Sequence, residues 1–122
     1  GYLKEDVYFQ RARSLLELKR FDEASADFDR VIQINPMYGK AYLMRAMVQS
    51  YLANDQKALA DVTQAINIIQ PNRGLWPEVS LVKRDVLLTA LKLRAMLRNK
   101  MGDVAGGAED EQTMQSLQNI WN

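Results

Sequence analysis

The feature that most constrains this chain is an internal repeat. Displaced by 34 residues, the sequence aligns Tyr8 with Tyr42, Arg11 with Arg45, Ala12 with Ala46 and Leu18 with Leu52. The same displacement aligns Ala24 with Ala58, Ala26 with Ala60, Asp27 with Asp61, Ile32 with Ile66 and Ile34 with Ile68, nine identities in 27 positions. A further step of 49 residues brings Leu91, Arg94, Ala95 and Asp110 under Tyr42, Arg45, Ala46 and Asp61, a third and degenerate copy. A period of this length means stacked copies of one supersecondary unit, each burying the face that its neighbour leaves open.

The unit is a helical hairpin. Val7, Tyr8, Ala12, Leu15, Leu16 and Leu18 recur at steps of three and four, residues 19–22 interrupt, and Ala24, Phe28, Val31, Ile32 and Ile34 resume up to Pro36. Asp22, and Asn54 or Asp55 in the second copy, are the expected N-caps. Ala12, Ala24, Ala46 and Ala58 place small side chains where paired helices approach closely. Pro71, Gly74 and Pro77 mark a loop that also holds Trp76, and the absence of breakers from Glu78 to Met101 predicts a long helix of about 24 residues. Gly102 and Asp103 should end it and cap its successor.

These residues resemble the tetratricopeptide repeat. The first copy, Glu5 to Tyr38, carries Tyr8, Ala12, Phe21-Asp22-Glu23-Ala24, Phe28 and the closing Pro36 at that family's positions. The second has one extra residue before Pro71. The third has Gly107 or Ala108 at the small position, Glu111 at an aromatic one and no closing Pro. The resemblance implies an all-α, right-handed solenoid of about three hairpins, residues 1–38, 39–71 and 72–122, forming one domain. It also implies a non-catalytic scaffold that binds a protein or peptide.

Composition narrows the chemistry. With no His and no Cys among 122 residues, Ser-His and Cys-His nucleophiles, disulfides and ordinary zinc sites are excluded. No cofactor, metal or catalytic residue is expected. The net charge of +1 provides no field for nucleic acid or acidic membranes. The cations of the long helix are scattered rather than striped, so nucleic-acid binding is not expected, and no apolar run reaches the length of a membrane span. Gly1 in place of an initiator Met is what a processed chain or a fragment shows, and localisation stays open.

In a solenoid of this type the first helix of each hairpin lines the concave face. By the resemblance that face holds Phe9, Arg13, Leu43, Met44, Met47, Tyr51, Lys92, Met96 and Lys100, with Gln10, Leu16, Glu17, Leu93 and Asn99 beside them. Flexible, polarisable Met side chains suit an adaptable peptide-binding surface, and they equally suit packing between hairpins. The Lys and Asn set with which some family members clamp the carboxylate tails of heat-shock chaperones lacks its Asn pair here, and that activity is not expected. The pairs Arg11/Asp27, Arg45/Asp61 and Arg94/Asp110, each 16 residues apart, read as structural contacts within each hairpin. Met114, Leu117, Ile120 and Trp121 form an apolar stripe on the last helix, and self-association through it, as a homodimer, is the second functional reading. Trp76 is a candidate anchor for a partner or a seal for its loop.

Overall fold

A computed structural model describes residues 3–70 and 80–122. Its elements are six helices: α1 (Lys4–Glu17), α2 (Phe21–Ile34), α3 (Gly39–Tyr51), α4 (Asp55–Ile69), α5 (Leu81–Lys100) and α6 (Val104–Trp121). The helices pair as α1/α2, α3/α4 and α5/α6, and α3 then packs on α2 and α5 on α4. This is the all-α stack of three hairpins that the repeat requires. The loop expected from Pro71 to Pro77, with Trp76, falls outside the described residues.

Each hairpin closes in the same way. After α1, α3 and α5 the chain passes through a left-handed residue at one repeat position: Lys19 (φ 60°), Ala53 (φ 61°) and Gly102 (φ 92°). The next amide reaches back over the helix end in all three, Arg20 to Leu15, Asn54 to Gln49 and Asp103 to Arg98. These bonds satisfy carbonyls that a helix terminus would otherwise leave open. Asp103 then caps α6 as expected, its carboxylate accepting from the Gly106 amide at 2.9 Å.

Three expectations about helix starts are corrected. Asp22 is not an N-cap: α2 begins at Phe21, Asp22 lies in its first turn, and no side chain caps it. A carboxylate there still favours the positive helix end. Asn54 does hold the N-cap position of α4, but its side chain donates to Gln49 Oε1 instead of capping the backbone. The long helix has 20 residues and begins at Leu81, because Ser80 is extended (φ −60°, ψ 151°). Glu78 lies outside the described residues.

Two apolar cores run through the stack. Phe9, Ala12, Ala24, Phe28 and Val31 of the first hairpin join Ala41 and Val48 of α3, with Met44 partly buried against them. Leu43, Val62, Ala65, Ile66 and Ile69 of the second hairpin join Leu87, Ala90, Leu91, Leu93, Leu97 and Leu117 of the third. A small buried residue recurs at one position of each second helix, Ala24, Ala58 or Gly107. A Cβ on Gly107 would come within 3.1 Å of the Ala95 carbonyl.

Candidate interaction surface

The three Arg/Asp pairs form as bidentate contacts. Arg11 Nε and Nη2 donate to Asp27 at 2.6 and 2.7 Å, Arg45 to Asp61 at 2.9 and 2.8 Å, and Arg94 to Asp110 at 2.9 and 2.7 Å. Hydrogen bonds from Arg11 hold the Asp27 carboxyl below its ordinary range against the opposing effect of burial, with Arg30 adding to the same direction. Arg45 also reaches Asp29 of α2 at 2.9 Å, tying the second hairpin to the first. Its guanidinium is raised further above its ordinary value, chiefly by its hydrogen bonds to Asp61. These arginines are occupied within the scaffold and do not form a row of ligand clamps.

The residues expected on the concave face divide between core and surface. Phe9 is 2% exposed and Leu43 3% exposed. Phe9 packs edge-on to Phe28 with ring centroids 5.9 Å apart and lies 5.0 Å from Tyr38. Both residues sit beneath the first helix of the following hairpin, so neither presents a contact to a partner, and their placement on the binding face is corrected. Met44 is packed against the first core and Met47, on its outer side, against the second.

What remains accessible forms two patches. In the first, Leu16, Glu17, Lys19, Phe21, Met47 and Tyr51 line a groove of about 310 Å³. Tyr51 is 70% exposed, and its ring stacks on Phe21 at 5.1 Å with an interplanar angle of 16°. Phe21 was not foreseen as part of this surface, because it opens the second helix and the expectation covered first helices alone. In the second patch, Lys92 and Met96 line a groove of about 660 Å³ with Leu88, Asn99, Glu111, Met114 and Gln118. Met96 is 54% exposed there. Lys100 bonds to Asp55 of α4 at 3.2 Å, and Arg13 is half-buried.

The stripe on α6 is largely consumed inside the hairpin. Leu117 is a core residue, Met114 and Trp121 pack against the same core, and the Arg84 guanidinium lies 4.8 Å above the Trp121 ring. Ile120 alone of the four is well exposed. Self-association through a continuous stripe is therefore not what this face offers.

Among the described residues no group of three or more acidic side chains is placed to hold a metal ion, and no helix is long and apolar enough to cross a membrane. Tyr38 closes the first hairpin against the second. Burial, reinforced by its hydrogen bond to Asp6 at 3.1 Å, pushes its hydroxyl up to about 12.

Comparison with known proteins finds a family match for the first hairpin of the stack. Residues 5–38 match the tetratricopeptide repeat. A DnaJ homolog subfamily C member 7 homolog of Dictyostelium discoideum is 28% identical over 108 residues, covering 88% of this chain and 19% of that protein. The mitochondrial import receptor subunit TOM70 of Rattus norvegicus is 32% identical over 84 residues, 69% of this chain and 13% of the receptor subunit. Sperm-associated antigen 1 of Homo sapiens is 37% identical over 60 residues, 49% of this chain and 6% of that protein. The chain thus spans less than a fifth of the length of each of these relatives.

Proposed function

Because this chain carries a tetratricopeptide repeat within a stack of like hairpins, we propose that it is a non-catalytic protein-binding domain that takes a segment of a partner protein on the face of its first helices. The observation that carries this reading is the exposed Tyr51 ring stacked on the partly buried Phe21, beside a mostly apolar groove that Met47 also lines. A large ring left in water beside a groove of this size is what a binding surface supplies and a solenoid core does not need. Met47 and Tyr51 contribute the apolar contact, with Leu16 as the groove wall. Met96 and Lys100, at the repeat positions of Met47 and Tyr51, continue the surface on the third hairpin, where Lys100 would exchange its contact with Asp55 for an acidic group of the partner.

The comparisons support the general class. One relative is by name a receptor subunit and another a homolog of a DnaJ subfamily member, and each is matched along a short part of its length. No catalytic role is needed: the polar groups with the strongest contacts, the Arg/Asp pairs, are spent on holding the hairpins together.

The test is affinity capture of partners with wild-type chain and with a Met47→Glu/Tyr51→Glu variant whose helical circular dichroism is unchanged. Loss of captured protein with the variant supports the reading. Equal capture removes this face from consideration. Substituting Leu43 would be uninformative, since that side chain belongs to the core.

A further inference from the structure

Neighbouring hairpins meet beside the concave face through a contact that recurs at one pair of repeat positions but changes its chemistry. Phe21 and Tyr51 make it between the first and second hairpins, as a ring stack at 5.1 Å. The steps of 34 and 49 residues carry these two positions to Asp55 and Lys100. Between the second and third hairpins the contact is an ion pair, Lys100 Nζ to the Asp55 carboxylate at 3.2 Å. The seam is aromatic at one junction and ionic at the next.

Stacking leaves this row open. Tyr51 is 70% exposed although its hairpin has a neighbour packed on either side. Glu17, at the same repeat position, is exposed with the second hairpin stacked on the first. The two junctions differ in what a ligand can do to them. The Tyr51 ring offers a fixed apolar contact beside Met47, and a second aromatic ring packs well on such a surface. Lys100 is 58% exposed, and an ion pair in that setting is weak. Asp55 opens α4, so the positive helix end still favours its carboxylate when Lys100 turns away. Lys100 is therefore an exchangeable cation.

Charge on the face selects the sign of the ligand. The first helices present Arg13, Lys92 and Lys100 against Glu17, and Lys19 adds a cation to the groove beside Glu17. This excess favours a carboxylate and disfavours a cation. Adjacent first helices touch, which sets the step between the two junctions at about 8–10 Å. An extended chain covers that step in about three residues.

We propose that the segment taken by the concave face is extended, sets an aromatic side chain against Tyr51 and Met47 and, about three residues away, places a carboxylate on Lys100. This deepens the function proposed above and rests on it.

The methionines make the proposal testable, because Met47 lines the groove at the aromatic junction, Met96 stands at its repeat position on the third hairpin, and Met114 belongs to the α6 wall. The chain, labelled with ¹³C at its methionine methyls, would be titrated at low salt with the blocked peptide Gly-Gly-Phe-Ala-Ala-Glu-Gly. The same peptide in reversed order, and versions with Gln or Lys in place of Glu, complete the set. The expected result is saturable movement of Met47 and Met96 with Met114 unmoved, and binding about three- to fivefold weaker for the Gln peptide. Lys100→Gln should erase that difference, and Asp55→Asn, which frees Lys100, should enlarge it. An ion pair that serves the fold alone would do neither. Movement of Met47 with equal affinity for the Glu and Gln peptides, or a preference for Lys, would overturn the acidic register and leave the concave-face function standing. Movement of Met114 without Met47 would place the segment off this face and overturn both. Silence of all three methyls up to the solubility limit would overturn the proposal, while partner capture with the Met47→Glu/Tyr51→Glu variant judges the function separately. Movement of Met47 on concentrating the chain alone would replace the partner segment by a second copy.

Discussion

Arg94 and Asp110 bind each other through two parallel hydrogen bonds in the interior of the third hairpin, with the Arg94 side chain 4% exposed, while Arg98 makes a second contact to the same carboxylate at 3.0 Å. The corresponding Arg11 of the first hairpin, bound to Asp27, is 57% exposed. One repeat position thus holds a buried charge at one end of the stack and a surface charge at the other.

The first prediction follows from that difference. Asp110→Ala strands the buried guanidinium of Arg94 and should destabilise the chain by about 3–5 kcal/mol. Asp27→Ala leaves Arg11 and Arg30 with access to water and should cost clearly less. Thermal melts followed by circular dichroism compare the two, and equal losses would contradict the account.

A second prediction concerns acid. The folded-state value of Asp27 is lowered below its unfolded one, so its contribution is complete above the ordinary carboxylate range, about 3.9. It is lost as the pH falls through the lower folded value. Urea midpoints measured from neutral to strongly acidic pH should therefore drop more steeply for wild type than for Asp27→Asn. Parallel curves would mean that the pair does not couple folding to protonation.

Third, Ala53 pays for a left-handed backbone that Gly102 adopts without strain at the same repeat position. Ala53→Gly should raise stability by about 1 kcal/mol. A decrease in the denaturation midpoint would show that the turn is strained elsewhere.

Much of this was legible in the sequence because the repeat reports the same contact several times. The spacing of Arg11/Asp27, Arg45/Asp61 and Arg94/Asp110 was enough to place each pair across its hairpin, and Gly102-Asp103 announced a helix end and a cap. Phe9 and Leu43 were not legible. Their helix phase points toward the concave side, yet the first helix of the next hairpin lies over them, and only the stacking decides whether such a residue is wall or core. The start of α5 was hidden for a local reason: Ser80 is extended although neither it nor its neighbours is a strong breaker. Phe21 escaped because its partner in the surface, Tyr51, is 30 residues away and in another hairpin.

A fourth prediction separates wall from core. Phe9→Ala should cost about 3–5 kcal/mol through the cavity it leaves. Tyr51→Ala, at an exposed ring, should leave the melting curve nearly unchanged. The reverse order would exchange the roles assigned to the two aromatic residues.

The most direct measurement for the central claim is site-specific photo-crosslinking. A benzophenone-bearing residue would replace Tyr51 on the groove or Gln64 on the exposed side of α4, and each chain would be irradiated in a lysate of its source. The account predicts a discrete crosslinked partner from position 51 and none from position 64. Crosslinking from position 64 alone, or with equal yield at both, would contradict a binding surface built on Met47, Phe21 and Tyr51.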